Sequence, residues 1–421
     1  MGFDGMDAEP LSLFAAYGVE LEYMIVDAVS LDVRPTADEV FRAVAGEITG
    51  EYETPDISWS NELVSHVIEL KTTEPAKSLV PLGDAFQRHV RTINDVLAGL
   101  GCRLMPTAMH PWMDPHREMQ LWPHDYGPVY AAFDRIFDCR GHGWANLQSV
   151  HLNLPFASDD EFGRLHAAIR LILPILPALA ASSPVMDGSV TGVLDNRLAV
   201  YRTNARRVPS VSGEVIPEAV FSRDDYEEVI FRRMYEDIRP HDPEGILQHE
   251  WLNARGAIAR FDRQAIEIRV LDIQECPAAD MAIVTVIAET LKALCGERWS
   301  SAAEQRKMAS ESLVSLLHAT IGSAETAVVG DAAYLRQFGA AAEGRFTAAE
   351  LWRRIIAELD VRRLLGAAER VGLDAILSRG TLARRIAGAL GTNPDRAALR
   401  QVYEALCDCL VENRPYSPQA L

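Results

Sequence analysis

The chain has 421 residues, of which 48% are hydrophobic and 24% charged, and a formal charge of -19 at pH 7. That size suits two or three soluble domains, or one large domain with an appendage. The acidic excess argues against a nucleic-acid backbone as main partner, because phosphate binding needs a basic surface.

The opening Met1-Gly2-Phe3-Asp4-Gly5-Met6-Asp7 carries no basic n-region, so no signal peptide is expected there, and position 6 lacks the Ser or Thr of a myristoylation motif. Gly18 to Val26 alternates with period two and reads as a strand. Val67–Leu70 and Arg103–Pro106 read as further strands, separated by a helical stripe from Pro81 to Leu100 that carries Leu82, Phe86, Val90, Ile93 and Leu97. Gln148–Leu154 is a strand, followed by a helix over Asp159–Ser182. Its apolar run from Leu171 to Ala181 is too short to span a bilayer, and Pro174 and Pro177 predict a kink or break.

The region Thr203–Val220 reads as a long loop of the kind that often carries function. Asp224–Ile238 and Pro277–Leu294 are helical, with the strand Ala265–Leu271 between them. Beyond Trp299 the strand signals stop, and runs such as Ala348–Leu365 and Arg396–Val411 are helical. A boundary near residue 300 is expected, between an α+β catalytic portion (1–300) and a helical C-terminal portion (301–421). The cysteines Cys102, Cys139, Cys276, Cys295, Cys407 and Cys409 form no CxxC pair, so buried free thiols in a reducing cytoplasm are expected, with no structural zinc.

The strands share one asymmetry. Glu20 and Glu22 project from one face of the first strand, roughly 7 Å apart by strand geometry. Ser149, His151 and Asn153 share a face, as do Glu267 and Arg269, and Glu69 sits in an apolar strand between His66 and Lys71. One strand of this kind is ordinarily just a solvated face. Four together put carboxylates side by side with a single arginine, an arrangement that divalent cations relieve. Mg²⁺ or Mn²⁺ suits such oxygen-rich ligands, and Mn²⁺ accepts His151 more readily. Carboxylates around divalent ions commonly bind a nucleoside triphosphate. The sequence has neither a GxxxxGKS/T loop nor a GxGxxG strand-to-helix turn, so ATP would be held by metal and by arginines drawn from Arg197, Arg202, Arg255, Arg260 and Arg269.

These pieces resemble glutamate–cysteine ligase family 2, the carboxylate–amine ligases related in fold to the glutamine synthetase catalytic domain. The matching stretches, in family order, are GVELEYMIV (18–26), NELVSHVIELKT (61–72), AMHPW (108–112), NLQSVHLNLPF (146–156), ALAASSPVMDG (178–188) and WLNARGAIARFDRQAIEIRVLD (251–272). The resemblance implies a curved antiparallel sheet with ATP and Mg²⁺ on its concave face and helices outside. It implies Glu20, Glu22, Glu62, Glu69, His151 and Glu267 as metal ligands, with Glu267 and Arg269 catalytic and Arg269 meeting the transferred phosphate. Two positions depart from the family pattern: Ser65 replaces a common acidic residue, and Ser149 replaces a histidine.

The implied reaction activates a carboxylate, that of glutamate in the family, as an acyl phosphate, which an amine, that of cysteine in the family, then attacks. Small-molecule substrates, a cytoplasmic location and no membrane partner are expected, and a homo-oligomer is compatible with the sequence. His66, His110 and the loop Tyr201–Pro217 are candidates for substrate contact. Other readings are a ligase for a different acid and amine, a metal-dependent hydrolase that needs no ATP, and a non-catalytic metal- or nucleotide-binding protein.

Overall fold

A computed structural model describes residues 10–340 and 346–418. The opening stretch Met1–Asp7 lies outside the described residues. Eight strands form the central sheet: β1 (Gly18–Asp27), β2 (Glu51–Tyr52), β3 (Ile57–Asn61), β4 (Val67–Thr72), β5 (Cys102–Met105), β6 (Ser149–Pro155), β7 (Ala257–Arg260) and β8 (Ala265–Asp272). They run in the order β2-β3-β4-β1-β6-β8-β7, with β5 also paired to β1, and every pairing is antiparallel. The sheet is curved, with helices against its outer face, as expected for an α+β fold of this class.

The period-two pattern decides the faces. Leu21, Tyr23 and Ile25 of β1, Ile68 and Leu70 of β4, and Leu152 and Leu154 of β6 enter one large hydrophobic cluster. Helix α1 (Leu82–Ala98) buries Phe86, Val90, Ile93 and Leu97 in it, the stripe expected from sequence. The predicted helix over Asp159–Ser182 divides where its prolines stand. A helix over Gly127–Phe137 (α2) precedes α3 (Asp159–Ile172), which passes into a 3₁₀ turn at Leu173–Ile175 and a short helix at Pro177–Ala180. Next come α4 (Asn196–Asn204) and the buried α5 (Pro277–Cys295). The predicted helix over Asp224–Ile238 contains a π-helical segment at Glu227–Arg232. Among the described residues no helix is long and apolar enough to cross a membrane, and all six cysteines are free and buried.

The C-terminal helices are α6 (Ser310–Ser323), α7 (Ala348–Glu358), α8 (Ala367–Arg379), α9 (Leu382–Leu390) and α10 (Arg396–Glu412). The two-residue strands Val328–Val329 and Phe346–Thr347 pair among them. These helices share the core of the sheet portion: Leu317, Trp352, Leu373 and Leu410 lie in the same cluster as β1. Gly372 lets α8 approach α5 closely, since a Cβ there would lie 3.0 Å from the Ala279 Cα. A second cluster joins Met24 and Val26, at the far end of β1, to Tyr403 and Leu406 of α10. Buried polar links reinforce this docking. Gln87 donates to the Leu410 and Val411 carbonyls at 3.0 Å, and Arg385 meets Glu275 at 2.5 Å.

Candidate active site on the carboxylate face

The sheet register brings the expected side chains together. In the β1–β6 pair Glu20 stands opposite His151, and in β1–β4 Glu22 stands directly opposite Glu69. Ser60 of β3 faces Glu69, and Glu267 of β8 faces Asn153. Between Ile268 and Leu271 the β8–β6 register shifts, so that Arg269 and Val270 together oppose the single His151. A bulge of this kind locally increases twist and re-aims side chains. It stands where Arg269 meets the carboxylates.

Hydrogen bonds fix each group. The Glu20 Oε2 lies 2.6 Å from His151 Nδ1, and its Oε1 accepts from Asn153 Nδ2 at 2.9 Å. The Ser149 backbone N–H donates to Glu22 Oε2 at 2.8 Å, and Ser149 Oγ lies 3.0 Å from His151 Nε2. Ser60 Oγ donates to Glu69 Oε1 at 2.6 Å. Arg269 Nε sits 2.9 Å from Glu267 Oε1, and Lys71 bridges towards Glu69 and Glu51 at 3.9 and 2.8 Å. Ser60 lies outside the matching stretches, and Asn153 and Lys71 lie within them without an assigned role. Their roles follow from cross-strand register, which links residues far apart in sequence.

Electrostatics divide the cluster in two. Burial opposes ionisation of Glu20, but the hydrogen bond and charge of His151, backed by Lys71 and Arg269, outweigh it and hold Glu20 at about 2. Burial likewise opposes the charged form of His151, yet Glu20, Glu22 and Glu267 raise it to about 9. Glu62 is pushed up to about 7 by burial and by the charge of Glu22. Glu69 is pushed well above the carboxylate range by burial and by Glu20 and Glu62. Carboxylates this crowded hold protons unless a cation replaces them. Two sets have ligand atoms all within 4.8 Å of one another: Glu20, Glu69 and His151, and Glu22, Glu62 and Glu69.

Two adjoining cavities open on this face. The first, of about 220 Å³, is bordered by Glu20, Glu69 and Glu267 and by Lys71, Arg260 and Arg263. The second, of about 240 Å³, has an aromatic stretch of wall that includes Phe133, Trp144 and Trp251. Glu62, His151, Trp251 and Arg269 border both. Of the other expected arginines, Arg260 borders the first cavity while paired with Asp262 at 2.9 Å, and Arg197 borders the second. Arg197 is 2% exposed, with Nη1 3.4 Å from Asp272 and Nη2 donating to the Arg269 carbonyl at 2.7 Å.

Arg255 stands elsewhere. It is 1% exposed, forks onto Glu218 at 2.6 and 2.7 Å, and borders neither cavity. Arg202 likewise borders neither. His66 and His110 are buried and donate from Nε2 to the carbonyls of Ala145 and Leu31, both at 2.8 Å. Burial lowers them to about 4 and about 3, so both are neutral and structural. Ser65 donates to the Leu121 carbonyl at 3.2 Å, away from the cavities, whereas Ser149 closes the ring around Glu22 and His151. Sequence reading missed the aromatic wall: Tyr130, Phe133 and Trp144 come from a stretch with no matching motif.

Comparison with known proteins bears on this arrangement. The profile of glutamate-cysteine ligase family 2 (GCS2) matches residues 16–404. An uncharacterised protein of Archaeoglobus fulgidus is 36% identical over 276 residues, 66% of this chain and 74% of that protein. A Bradyrhizobium sp. (strain ORS 278) protein provisionally named glutamate–cysteine ligase 2 is 29% identical over 291 residues, 66% of this chain and 61% of its own. A protein of the same provisional name from Corynebacterium glutamicum (strain R) is 29% identical over 191 residues, 44% of this chain. The match spans about half, 46%, of that relative's length. The crystal structure of the Francisella tularensis glutamate–cysteine ligase in complex with AMP has a TM-score of 0.60 at 12% identity, covering 96% of this chain and 90% of that one, a likeness of fold. With the profile spanning every strand of the sheet, the chain belongs to glutamate–cysteine ligase family 2.

Proposed function

We propose that the protein is an ATP-dependent carboxylate–amine ligase that forms an amide through an acyl phosphate, with glutamate and cysteine the first substrate pair to assay. The observation that carries this reading is the face of five glutamates, one histidine and one arginine drawn from four strands and the loop after β3. Family membership supports it. Glu22 directly opposite Glu69, with Glu62 beside them, is a repulsive arrangement unless cations sit between. Carboxylate oxygens with one imidazole nitrogen fit Mg²⁺ and accept Mn²⁺, so these residues with Glu20, His151 and Glu267 would hold such ions. When bound, divalent ions neutralise the β- and γ-phosphates of ATP.

The chain's own groups supply the rest. Arg269, at the seam of the two cavities, provides a fixed cation where charge develops on a transferred phosphoryl group. Lys71, Arg260 and Arg263 add cations beside the glutamates of the first cavity, a setting suited to phosphates once metal ions neutralise the carboxylates. The aromatic wall of the second keeps water from an acyl phosphate until the amine reaches it. The test is ADP release from Mg²⁺-ATP against a matrix of acids and amines, with product masses recorded. Release is expected to require both an acid and an amine, with a product heavier than the acid by the amine less water. Turnover without ATP would point instead to a hydrolase.

A further inference from the structure

Arg197, Tyr201 and Asn204 stand at i, i+4 and i+7 of α4 and therefore share one helix face. All three border the second cavity. Among the described residues, Arg197 Nε, Tyr201 OH and Asn204 Oδ1 are buried and have no hydrogen-bond partner. Buried polar atoms are almost always paired, so two donors and an acceptor left open on one helix face mark a place for a polar ligand. The same cavity is bordered by the Phe133 ring, which lies 5.5 Å from Trp144 and 5.9 Å from Trp251, so that the three make one continuous aromatic wall.

We propose, building on the ligase reading, that this cavity seats the amine substrate and that the amine is an α-amino acid with an aromatic side chain. Its carboxylate accepts from Arg197 Nε–H and Tyr201 O–H, Asn204 Oδ1 takes a donor from the ligand, and its ring packs on Phe133, Trp144 and Trp251. A cysteine side chain is too small to cover that wall, whereas an aromatic ring buries a large area against it. The seam at Arg269 and Glu62 places the amino group beside the first cavity. There the amine nitrogen bonds to the acyl carbon as the bond from that carbon to the phosphate oxygen breaks. Phosphate leaves with the electron pair and takes the proton shed by nitrogen.

The test is calorimetric titration of the full chain, in Mg²⁺ with a non-hydrolysable ATP analogue, by L-phenylalanine, L-tyrosine, L-cysteine and phenylethylamine. Phenylalanine or tyrosine is expected to bind at least about tenfold tighter than cysteine, because of the aromatic contact. Phenylethylamine, lacking the carboxylate, is expected to bind about tenfold more weakly than phenylalanine. Tyr201→Phe and Phe133→Ala should each weaken phenylalanine about tenfold. Neither residue borders the first cavity, so analogue affinity should hold in both variants and report an intact fold. Cysteine binding as tightly as phenylalanine, phenylethylamine matching phenylalanine, or variants without effect would each overturn the proposal while leaving the ligase reading standing. Failure of the wild-type chain to bind the nucleotide analogue would overturn both.

Discussion

At His151 burial, which favours a neutral ring, works against three carboxylates that favour the imidazolium, and the carboxylates prevail. Alternation alone located His151, Glu20, Glu22, Glu69 and Glu267, because a period of two leaves little freedom about which face a residue takes. The arginines were less legible. An arginine can end in a cavity or in a buried pair with the same local sequence, and only tertiary partners decide. Arg255 illustrates this: Glu218, Ser210 and Asn253 occupy its guanidinium. Arg255→Met should therefore cost about 1 to 3 kcal/mol in urea denaturation, the scale of hydrogen bonds to a charged group, because the Glu218 left behind is one-third exposed. Mg²⁺-ATP affinity should stay within about twofold, since hydrogen bonds worth more than that would have to be lost to change it further. A large loss of nucleotide affinity with unchanged stability would place Arg255 in the site.

At the scale of elements, the bulge in β8 and the close approach of the chain segment before β7 set where Arg269 stands. The Gly256 carbonyl accepts from the Arg269 N–H at 2.9 Å, and Gly256 N–H donates to the Val215 carbonyl at 2.7 Å. A Cβ at position 256 would lie 2.6 Å from Val270 Cγ1 and 3.1 Å from the Val215 carbonyl oxygen. Gly256→Ala should thus cost about 1 to 3 kcal/mol through overpacking and lower ADP release with it. Adding Val270→Ala should recover part of both, as measured by thermal denaturation and turnover. Strands β1, β4, β5, β6 and β8 and helices α1, α3, α5, α7 and α10 were legible because hydrophobic period tracks burial, whereas β2, β3 and β7, being short, were not read as strands. The bulge was not read, although its extra residue shifts the period-two phase and sets the apolar Val270 and Leu271 side by side. The π-helical segment at Glu227–Arg232 was not read either.

Over the whole molecule, residues on both sides of position 300 enter one hydrophobic cluster, so the C-terminal helices contribute to the core beneath the site. His166 reports on that core. It is fully buried, stacked on Phe162 at 5.4 Å and flanked by Tyr226 at 5.7 Å. Burial, helped by the charge of Arg170, lowers it from 6.5 to about 3. A depressed histidine means that the unfolded chain binds the proton first. Its contribution to stability is complete above pH 6.5 and is lost as pH falls towards 3. His166→Phe should therefore gain on the wild type as pH drops through that window, by at most about 1.4 kcal/mol per pH unit. Urea denaturation of both proteins from pH 7 to 4 measures the difference, in which shared titrations cancel. A difference that does not change with pH would mean that the buried ring already carries its proton.

In the ligase reading Mg²⁺-ATP reacts on the carboxylate face. This is tested most directly by Mg²⁺-dependent ADP formation in Glu20→Gln, Glu69→Gln and Glu267→Gln, each checked for an unchanged fold by circular dichroism. The predicted result is a loss of at least about 100- to 1000-fold in all three, the scale of removing one electrostatic contact from a reacting phosphoryl group. Turnover at the wild-type rate in all three folded variants would contradict it.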